Sequence, residues 1–238
     1  MGNQALRQAL INIYQQLMAR YGPQHWWPID ERYHQNQHSD PRFEIITGAI
    51  LTQNTAWINV EKTLCNLKNQ KALTINTIAN LKEDSLKKMI QPSGFFNQKA
   101  QRLKLFSTYL QTKYNGDLQN FFSRDTAEIH HELLLIKGIG LETADSILLY
   151  AGGHSVFVVD AYTKRICQRF PFPVDTESYE HVQQFFEKEL INTTPYSDLV
   201  WVYKELHALL VRLAKEHCWK KNPLCSTCPL RDLCKKLL

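Results

Sequence analysis

Four of the six cysteines crowd into the last 21 residues, in the pattern Cys218-x6-Cys225-x2-Cys228-x5-Cys234. Four thiolates so close in sequence can ligate a structural zinc ion or a [4Fe–4S] cluster. Zinc sites usually use two short-spaced cysteine pairs, and only the middle pair has that spacing here. The longer outer intervals favour a loop that wraps around a cuboidal cluster. Zinc remains the alternative, and disulfides are disfavoured in a cytosolic chain.

Composition indicates a chain that can bury a substantial core. It has 238 residues, of which 44% are hydrophobic, enough for one large or two small domains. No apolar run reaches the roughly 18 residues that span a bilayer, and the N-terminal segment lacks the apolar core of a signal peptide. We therefore expect a cytoplasmic protein that does not contact a membrane and that is nucleoid-associated if bacterial. Isolated Cys65 and Cys167 are interpreted as buried small hydrophobic residues.

The net charge of +5 is concentrated at the C-terminal end of the chain. From residue 201 to residue 238 three acidic residues accompany eight basic ones: Lys204, Arg212, Lys215, Lys220, Lys221, Arg231, Lys235 and Lys236. Such a segment is either a solvated basic tail or a patch that faces phosphates.

Apolar residues recur with helical spacing along nearly the whole chain, and strand-like alternation is almost absent. The pattern predicts helices at 3–21, 43–52, 55–69, 82–90, 97–113, 125–136, 141–152, 160–169, 178–190 and 197–217. Residues 22–42 contain three prolines and are expected to be irregular. The apolar run Val156–Val159 is too isolated to form a sheet. We therefore predict an all-α protein with short connections.

Two predicted helices are separated by the sequence Ile136-Lys137-Gly138-Ile139-Gly140. Two glycines around one aliphatic residue form a tight turn with accessible backbone N–H groups. Such donors at the start of a helix favour a phosphate. An ordinary helix–helix turn is the alternative interpretation.

Asp160 directly follows an apolar run and directly precedes a predicted helix. This position is typical of a helix N-cap. The helix N-terminus also keeps a carboxylate ionised. An ionised carboxylate in a groove can stabilise an oxocarbenium ion or orient a water molecule.

The order of the glycine hairpin, Thr143-Ala144, Val159-Asp160 and the four cysteines resembles the helix–hairpin–helix DNA glycosylases, endonuclease III most closely. The resemblance covers about residues 43–238. It implies a two-lobed all-α fold, with a helical barrel domain at 43–152 and a discontinuous domain at 1–42 and 153–238. The second domain would hold a [4Fe–4S] cluster on Cys218, Cys225, Cys228 and Cys234. The implied activity is excision of a damaged base from duplex DNA by a monomer, with Asp160 as the catalytic carboxylate.

The same resemblance indicates residues that would contact DNA. Gly138 and Gly140 would offer backbone amides to phosphates. Gln53, within Leu51–Thr55, resembles the residue that enters the helix where the base has left. Phe95, in the loop at residues 94–100, resembles the intercalating wedge. The structural alternatives are a buried helix-end amide for Gln53 and plain core for Phe95.

One position departs from the bifunctional members of the family. They have a lysine two residues after the second glycine of the hairpin, and its amine forms a Schiff base with the sugar. This chain has Glu142 at that position. A carboxylate cannot form an imine, so we expect a monofunctional enzyme. Lys137 and Lys164 lie near in sequence and remain possible substitute amines.

Adjacent Trp26 and Trp27 precede Pro28 in a polar stretch. With Phe43 they would form an aromatic slot for a flipped base, and an electron-rich ring attracts a cationic base such as 3-methyladenine. This pattern, together with Glu142, resembles the endonuclease-III-like 3-methyladenine glycosylases. A loop pinned on the core is the alternative. Two other functions stay open: a bifunctional glycosylase/AP lyase for oxidised pyrimidines, and a non-catalytic DNA-binding iron–sulfur protein.

Overall fold

The computed structural model describes residues 3–170, 172–191 and 198–234, and these ranges contain helices but no strand. The all-α prediction is confirmed. The α-helices are α1 Asn3–Tyr21, α2 Glu31–Gln37, α3 Arg42–Thr52, α4 Trp57–Asn69, α5 Ile75–Asn80, α6 Glu83–Ile90, α7 Phe96–Tyr114, α8 Leu118–Phe122, α9 Thr126–Leu135, α10 Leu141–Ser146, α11 Ala161–Arg169, α12 Tyr179–Leu190 and α13 Leu199–Glu216. Short 3-10 turns occupy Gln91–Ser93 and Cys225–Thr227, and α10 continues as a π-helix over Ile147–Gly152.

Three short helices, α2, α5 and α8, were not predicted, because one to two turns are too few to show an apolar stripe. Each begins at a side-chain cap, respectively Asp30, Thr74 and Asp117. Segment 22–42 is therefore only partly irregular. None of the described helices is long and apolar enough to cross a membrane. Cys65 is exposed, contrary to the prediction, whereas Cys167 is buried.

The chain divides into two compact units, one of residues 1–26 with 155–238 and the other of residues 27–154. The first boundary lies before Trp27 and not between residues 42 and 43. The reason is a buried polar network centred on Glu44 of α3. Its carboxylate accepts hydrogen bonds from the Asp30 backbone N–H (3.1 Å), contacts His34 Nε2 (2.9 Å) and pairs with Lys68 Nζ (3.0 Å). These bonds attach segment 27–42 to α3 and α4.

Helix α3 is central to the 27–154 unit, because every residue from Phe43 to Leu51 is buried. A helix that is buried on all sides is stable only inside a protein, and the one charged side chain of this buried stretch, Glu44, is fully bonded. Helix α7 packs on α5 and α6, and α3 packs on the π-helical segment that follows α10. In the other unit, α13 packs on α1 and α11, and α12 packs on α1.

Candidate functional site

The buried run Phe157–Val159 leads directly into Asp160. Its backbone is bonded by side chains of α12 and not by another strand. Phe157 N–H donates to Glu187 Oε1 (2.9 Å), Gln183 Nε2 donates to the Phe157 carbonyl (2.9 Å), and Val159 N–H donates to the Tyr179 hydroxyl (3.3 Å). The three α12 residues are four positions apart and therefore lie on one helix face. This arrangement lets an extended apolar segment deliver Asp160 to the start of α11 without a sheet.

Asp160 is the N-cap of α11, and its Oδ1 accepts a hydrogen bond from the Thr163 backbone N–H at 2.7 Å. Its other oxygen, Oδ2, lies 3.6 Å from His207 Nε2. Only 12% of the Asp160 side chain is exposed. Burial alone would raise the pKa of this carboxyl group, but His207 and the Thr163 donors outweigh burial and hold the pKa below its usual value. One oxygen thus caps the helix, while the other faces an imidazole.

His207 was not predicted as a site residue. It is a buried residue in the middle of α13, among apolar neighbours along that helix. A single histidine in such a pattern is usually an ordinary core residue, and nothing in the sequence links it to Asp160. Only the packing of α11 on α13 brings the two side chains together.

The four C-terminal cysteines line one cavity. Its walls are formed by Arg169, His217, Cys218, Pro223, Cys225, Cys228, Arg231 and Cys234. Burial raises the pKa of the Cys228 thiol, and the three other cysteines act in the same direction. Among the described residues no three His, Cys, Asp or Glu side chains are close enough to hold a single metal ion. The cavity therefore offers four thiols as donors, the ligand type of both zinc and iron–sulfur sites.

Helix α11 anchors the cysteine loop through two arginines. Arg169 Nη1 lies 3.2 Å from Cys218 Sγ and also donates to the Trp219 carbonyl at 2.7 Å. Arg165 Nε donates to the Cys218 carbonyl at 2.8 Å. A cation at a ligand sulfur would offset the negative charge of a thiolate-bound cluster. Lys235 and Lys236, two of the predicted phosphate-facing lysines, lie outside the described residues.

The glycine hairpin has the local geometry that the sequence predicted. Gly138 has φ of +92°, and a Cβ there would clash with the Arg102 side chain, so this position requires glycine. Ile139 is 5% exposed and anchors the turn, whereas Gly138 and Gly140 are exposed. Gly140 is the N-cap of α10, and a Cβ there would meet nothing within 4 Å. The turn therefore presents its backbone to the outside.

Gln53 is hydrogen-bonded to the hairpin in this structure, and its insertion into DNA stays a prediction. Gln53 Nε2 donates to the Gly138 carbonyl (3.0 Å) and to Thr143 Oγ1 (2.9 Å). Its Oε1 accepts a hydrogen bond from Arg102 Nη1. Because both N–H bonds of the amide and its oxygen are used, Gln53 braces the hairpin. The exposed residue of this turn is its neighbour Asn54, with φ of +53°.

Phe95 is not part of the core. Its side chain is 61% exposed, and its φ of +44° places it in the left-handed region, directly after Gly94 at +64°. That backbone conformation is unfavourable for a bulky residue. A large aromatic ring that is exposed on a strained turn is more useful for contact with a partner than for stability.

The proposed aromatic slot is only partly consistent with the structure. Phe43 is 1% exposed in the interior of α3, and its place in the slot stays a prediction. Trp27 is half-buried and packs edge-on against Trp57 and Tyr150, with ring centroids 5.4 and 5.5 Å away. That packing fits a loop pinned on its unit. Trp26 is half-buried and belongs to the other unit.

The loop that precedes Trp26 is held by a buried carboxylate. Glu205 on α13 is 1% exposed. Its two oxygens accept the backbone N–H groups of Gln24 (2.5 Å) and His25 (3.0 Å). This contact fixes the backbone that carries Trp26, although no motif in the sequence indicated it.

Lys137 and Lys164, the two candidates for a substitute amine, both lie in the described part of the chain. Lys164 Nζ donates to the Glu177 carbonyl at 2.7 Å, and Lys137 is exposed on the hairpin. Glu142 is exposed on the first turn of α10. Burial lowers the pKa of Lys204, which is three residues from His207 on α13.

Residues 47–191 match the model of the HhH-GPD superfamily of base excision DNA repair proteins. "Putative DNA repair glycosylase MJ1434" of Methanocaldococcus jannaschii is 42% identical over 226 residues, which cover 94% of this chain and 95% of the relative. Endonuclease III of Thermotoga maritima is 27% identical and covers 87% of this chain and 89% of its own.

Two solved structures show the same architecture. The H. pylori 3-methyladenine DNA glycosylase (MagIII) bound to 1,N6-ethenoadenine has a TM-score of 0.72 and 32% identity, over 90% of this chain and 98% of its own. A trapped endonuclease III–DNA covalent intermediate has a TM-score of 0.75 and 21% identity, over 99% and 96% of the two chains. At that identity the second likeness concerns the fold alone.

The chain belongs to the HhH-GPD superfamily of base excision DNA repair proteins. It is a DNA glycosylase of base excision repair, and DNA is its partner.

Proposed function

We propose that this protein is a monofunctional glycosylase that removes an alkylated purine, such as 3-methyladenine, from duplex DNA by hydrolysis. The observation that carries the proposal is the buried Asp160 carboxylate, which is kept ionised and has one oxygen directed at His207. We infer that the enzyme acts as a monomer.

Asp160 would act on the sugar of the flipped nucleotide. As the bond between C1′ and the base nitrogen breaks, the base leaves with the bonding electrons and positive charge develops on the sugar. An adjacent carboxylate stabilises that charge. Water then adds to C1′, and the carboxylate accepts its proton. An alkylated, cationic purine leaves as a neutral base, so this chemistry needs no general acid.

Two features favour an alkylated purine and a monofunctional reaction. Glu142 replaces the amine that would form a Schiff base. The 32% identical H. pylori structure is of a 3-methyladenine DNA glycosylase. Trp26, whose loop is held through the Glu205 contacts with Gln24 and His25, is a candidate for stacking on a cationic base.

The DNA backbone would be bound by the exposed hairpin. Gly138 and Gly140 offer accessible amides, and the absence of a side chain at Gly140 leaves room for a phosphate. Phe95 would enter the base stack as a wedge. Gln53 stabilises the hairpin through hydrogen bonds to the Gly138 carbonyl and the Thr143 hydroxyl.

The four cysteines that line the C-terminal cavity would hold a [4Fe–4S] cluster. Such a cluster would supply a structural cross-link for the C-terminal loop. Arg169 would donate to the sulfur of Cys218, and Arg165 would hold the backbone of that ligand.

An excision assay tests the proposed reaction. Duplexes that carry 3-methyladenine, 1,N6-ethenoadenine or thymine glycol would be incubated with the enzyme and analysed before and after alkali. We expect loss of the alkylated purine and strand breaks only after alkali. Nicking without alkali at thymine glycol would replace the proposal with the bifunctional alternative. Binding without excision of any base would favour a non-catalytic protein.

A further inference from the structure

Lys99 is a buried lysine whose ammonium group donates one hydrogen bond to each of three separate residues. It is 0% exposed on the first turn of α7. Nζ donates to the Leu51 carbonyl (2.7 Å), to Thr55 Oγ1 (2.6 Å) and to the Ser93 carbonyl (2.7 Å). These acceptors are uncharged oxygens. Burial and the charge of Arg102 lower the pKa of Lys99 to about 8. Burying a lysine ammonium costs free energy, and the hydrogen bonds that its three donors make offset that cost.

The three acceptors flank two exposed left-handed turns. Leu51 and Thr55 lie on either side of Asn54, which has φ of +53°. Ser93 lies two residues before Phe95, which has φ of +44°. The backbone N–H of Lys99 itself donates to the Phe95 carbonyl at 3.0 Å.

A second bond joins the same two turns. Thr55 Oγ1 donates to the Ser93 carbonyl at 2.5 Å. Thr55 and Lys99 thus share the Ser93 acceptor and contact each other. Asn54 and Phe95 are both exposed, and the left-handed conformation is unfavourable for Phe95, whereas asparagine adopts it readily. The geometry of the Phe95 turn therefore depends most on this bracing.

We propose that Lys99 is a positioning residue that holds Asn54 and Phe95 as a pair of side chains that probe the DNA base stack. The inference rests on the proposed function. The ammonium group fixes the spacing of the two turns before DNA arrives. The entropic cost of ordering them is therefore met on folding and not on binding. The chemistry recognised is a duplex in which one base has left the stack.

The test compares binding to a duplex that contains a tetrahydrofuran abasic analogue with binding to the matched undamaged duplex. Lys99→Met keeps most of the side-chain volume and removes the three donors. We expect it to weaken binding to the abasic duplex about tenfold, the scale of removing one base-stacking interaction, and to leave binding to the undamaged duplex unchanged. Lys104→Met is the matched control, because Lys104 is on the same helix and donates to two carbonyls, of Ala79 and Leu81.

A double-mutant cycle distinguishes positioning from general support. If Lys99 acts through the wedge, Lys99→Met should have little further effect in a Phe95→Ala background. The fluorescence of 2-aminopurine beside the abasic site should report reduced unstacking in both single variants. If Lys99→Met does not fold, Thr55→Val allows the same cycle, because it removes the hydroxyl that joins the turns.

Additive effects of Lys99→Met and Phe95→Ala would overturn the inference, as would an equal loss of affinity with Lys104→Met. The proposed function has a separate point of failure. If the wild-type protein does not prefer the abasic duplex to the undamaged one, the proposed function fails first. If it does prefer that duplex and the cycle is additive, only the role of Lys99 is wrong.

Discussion

Asp160 Oδ2 lies 3.6 Å from His207 Nε2, across the packing of α11 on α13. This relationship gives the proposed catalytic carboxylate a partner that the sequence did not reveal. It also makes the ionisation of Asp160 depend on a helix almost 50 residues further along the chain.

His207→Gln should alter the pH dependence of excision. The pKa of Asp160 is held down partly by His207, so removal of the imidazole should raise that pKa. Since the ionised carboxylate is the active form, the acid limb of the single-turnover rate should move to higher pH. Asp160→Asn should lower the rate by about 10²-fold or more at every pH, with binding to an abasic duplex retained. An unchanged acid limb in His207→Gln would contradict this coupling.

Because of Lys99, the free energy of unfolding should be larger at alkaline pH than at neutral pH. The pKa of Lys99 in the folded state is about 8, below the ordinary 10.5. Between these values the unfolded chain binds more protons than the folded one, so the free energy of unfolding should rise as pH increases from 8 to 10.5. Denaturant titrations of wild type and Lys99→Met at pH 7.5 and 9.5 measure this difference. A rise of equal size in both proteins would show that Lys99 is not its source.

Gly138→Ala should weaken DNA binding. The added Cβ meets the Arg102 side chain and is strained at φ of +92°, so the turn must shift. We expect lower affinity for every duplex and a shallower dependence on salt, by about 0.9 in the log–log slope for each phosphate that the hairpin no longer binds. Gly140→Ala tests the exposed side of the hairpin. Its Cβ would contact no protein atom within 4 Å, so weaker binding would indicate contact with a phosphate. Normal binding by both variants would exclude the hairpin from the interface.

The cysteine cavity should hold iron. Protein purified anaerobically should contain about four iron atoms per chain and absorb visible light. Cys225→Ser should lose most of that iron, whereas Cys65→Ser, at an exposed cysteine outside the cavity, should not. Stoichiometric zinc without iron would establish the alternative metal.

Trp26→Ala should reduce discrimination between bases. If the ring stacks on a cationic purine, excision of 3-methyladenine should fall by about tenfold or more, since one stacking contact contributes roughly 1–3 kcal/mol. Trp27→Ala is the comparison, and it should mainly lower the unfolding temperature because that ring packs on Trp57 and Tyr150. The opposite result would move the stacking role to Trp27.

The parts of the candidate site that could be predicted are those whose signals lie close together in the sequence. Asp160 and the cysteines are recognisable because a cap, a preceding apolar run and a fixed spacing lie next to each other in the chain. The long helices were predicted for the same reason. The short helix α2 was missed because its only strong local signal is the cap at Asp30.

Long-range contacts are what the sequence could not predict. Gln53 was assigned to DNA, and nothing in the sequence indicated that its amide is bonded to Gly138 and Thr143, more than 80 residues away. Phe43 matched an aromatic pattern, yet helix packing buries it completely. Lys99 lay inside the predicted wedge loop, but a lysine that donates to three separate acceptors is visible only once the turns are folded together.

The hydrogen bonds from α12 to Phe157–Val159 also affect whether the protein aggregates. An extended apolar run with unpaired backbone groups is a template for strand addition and aggregation. Here Glu187, Gln183 and Tyr179 occupy those groups. Truncating these side chains would leave the segment able to recruit a strand from a second molecule, so insolubility, and not only reduced activity, is the expected phenotype of changes on that face of α12.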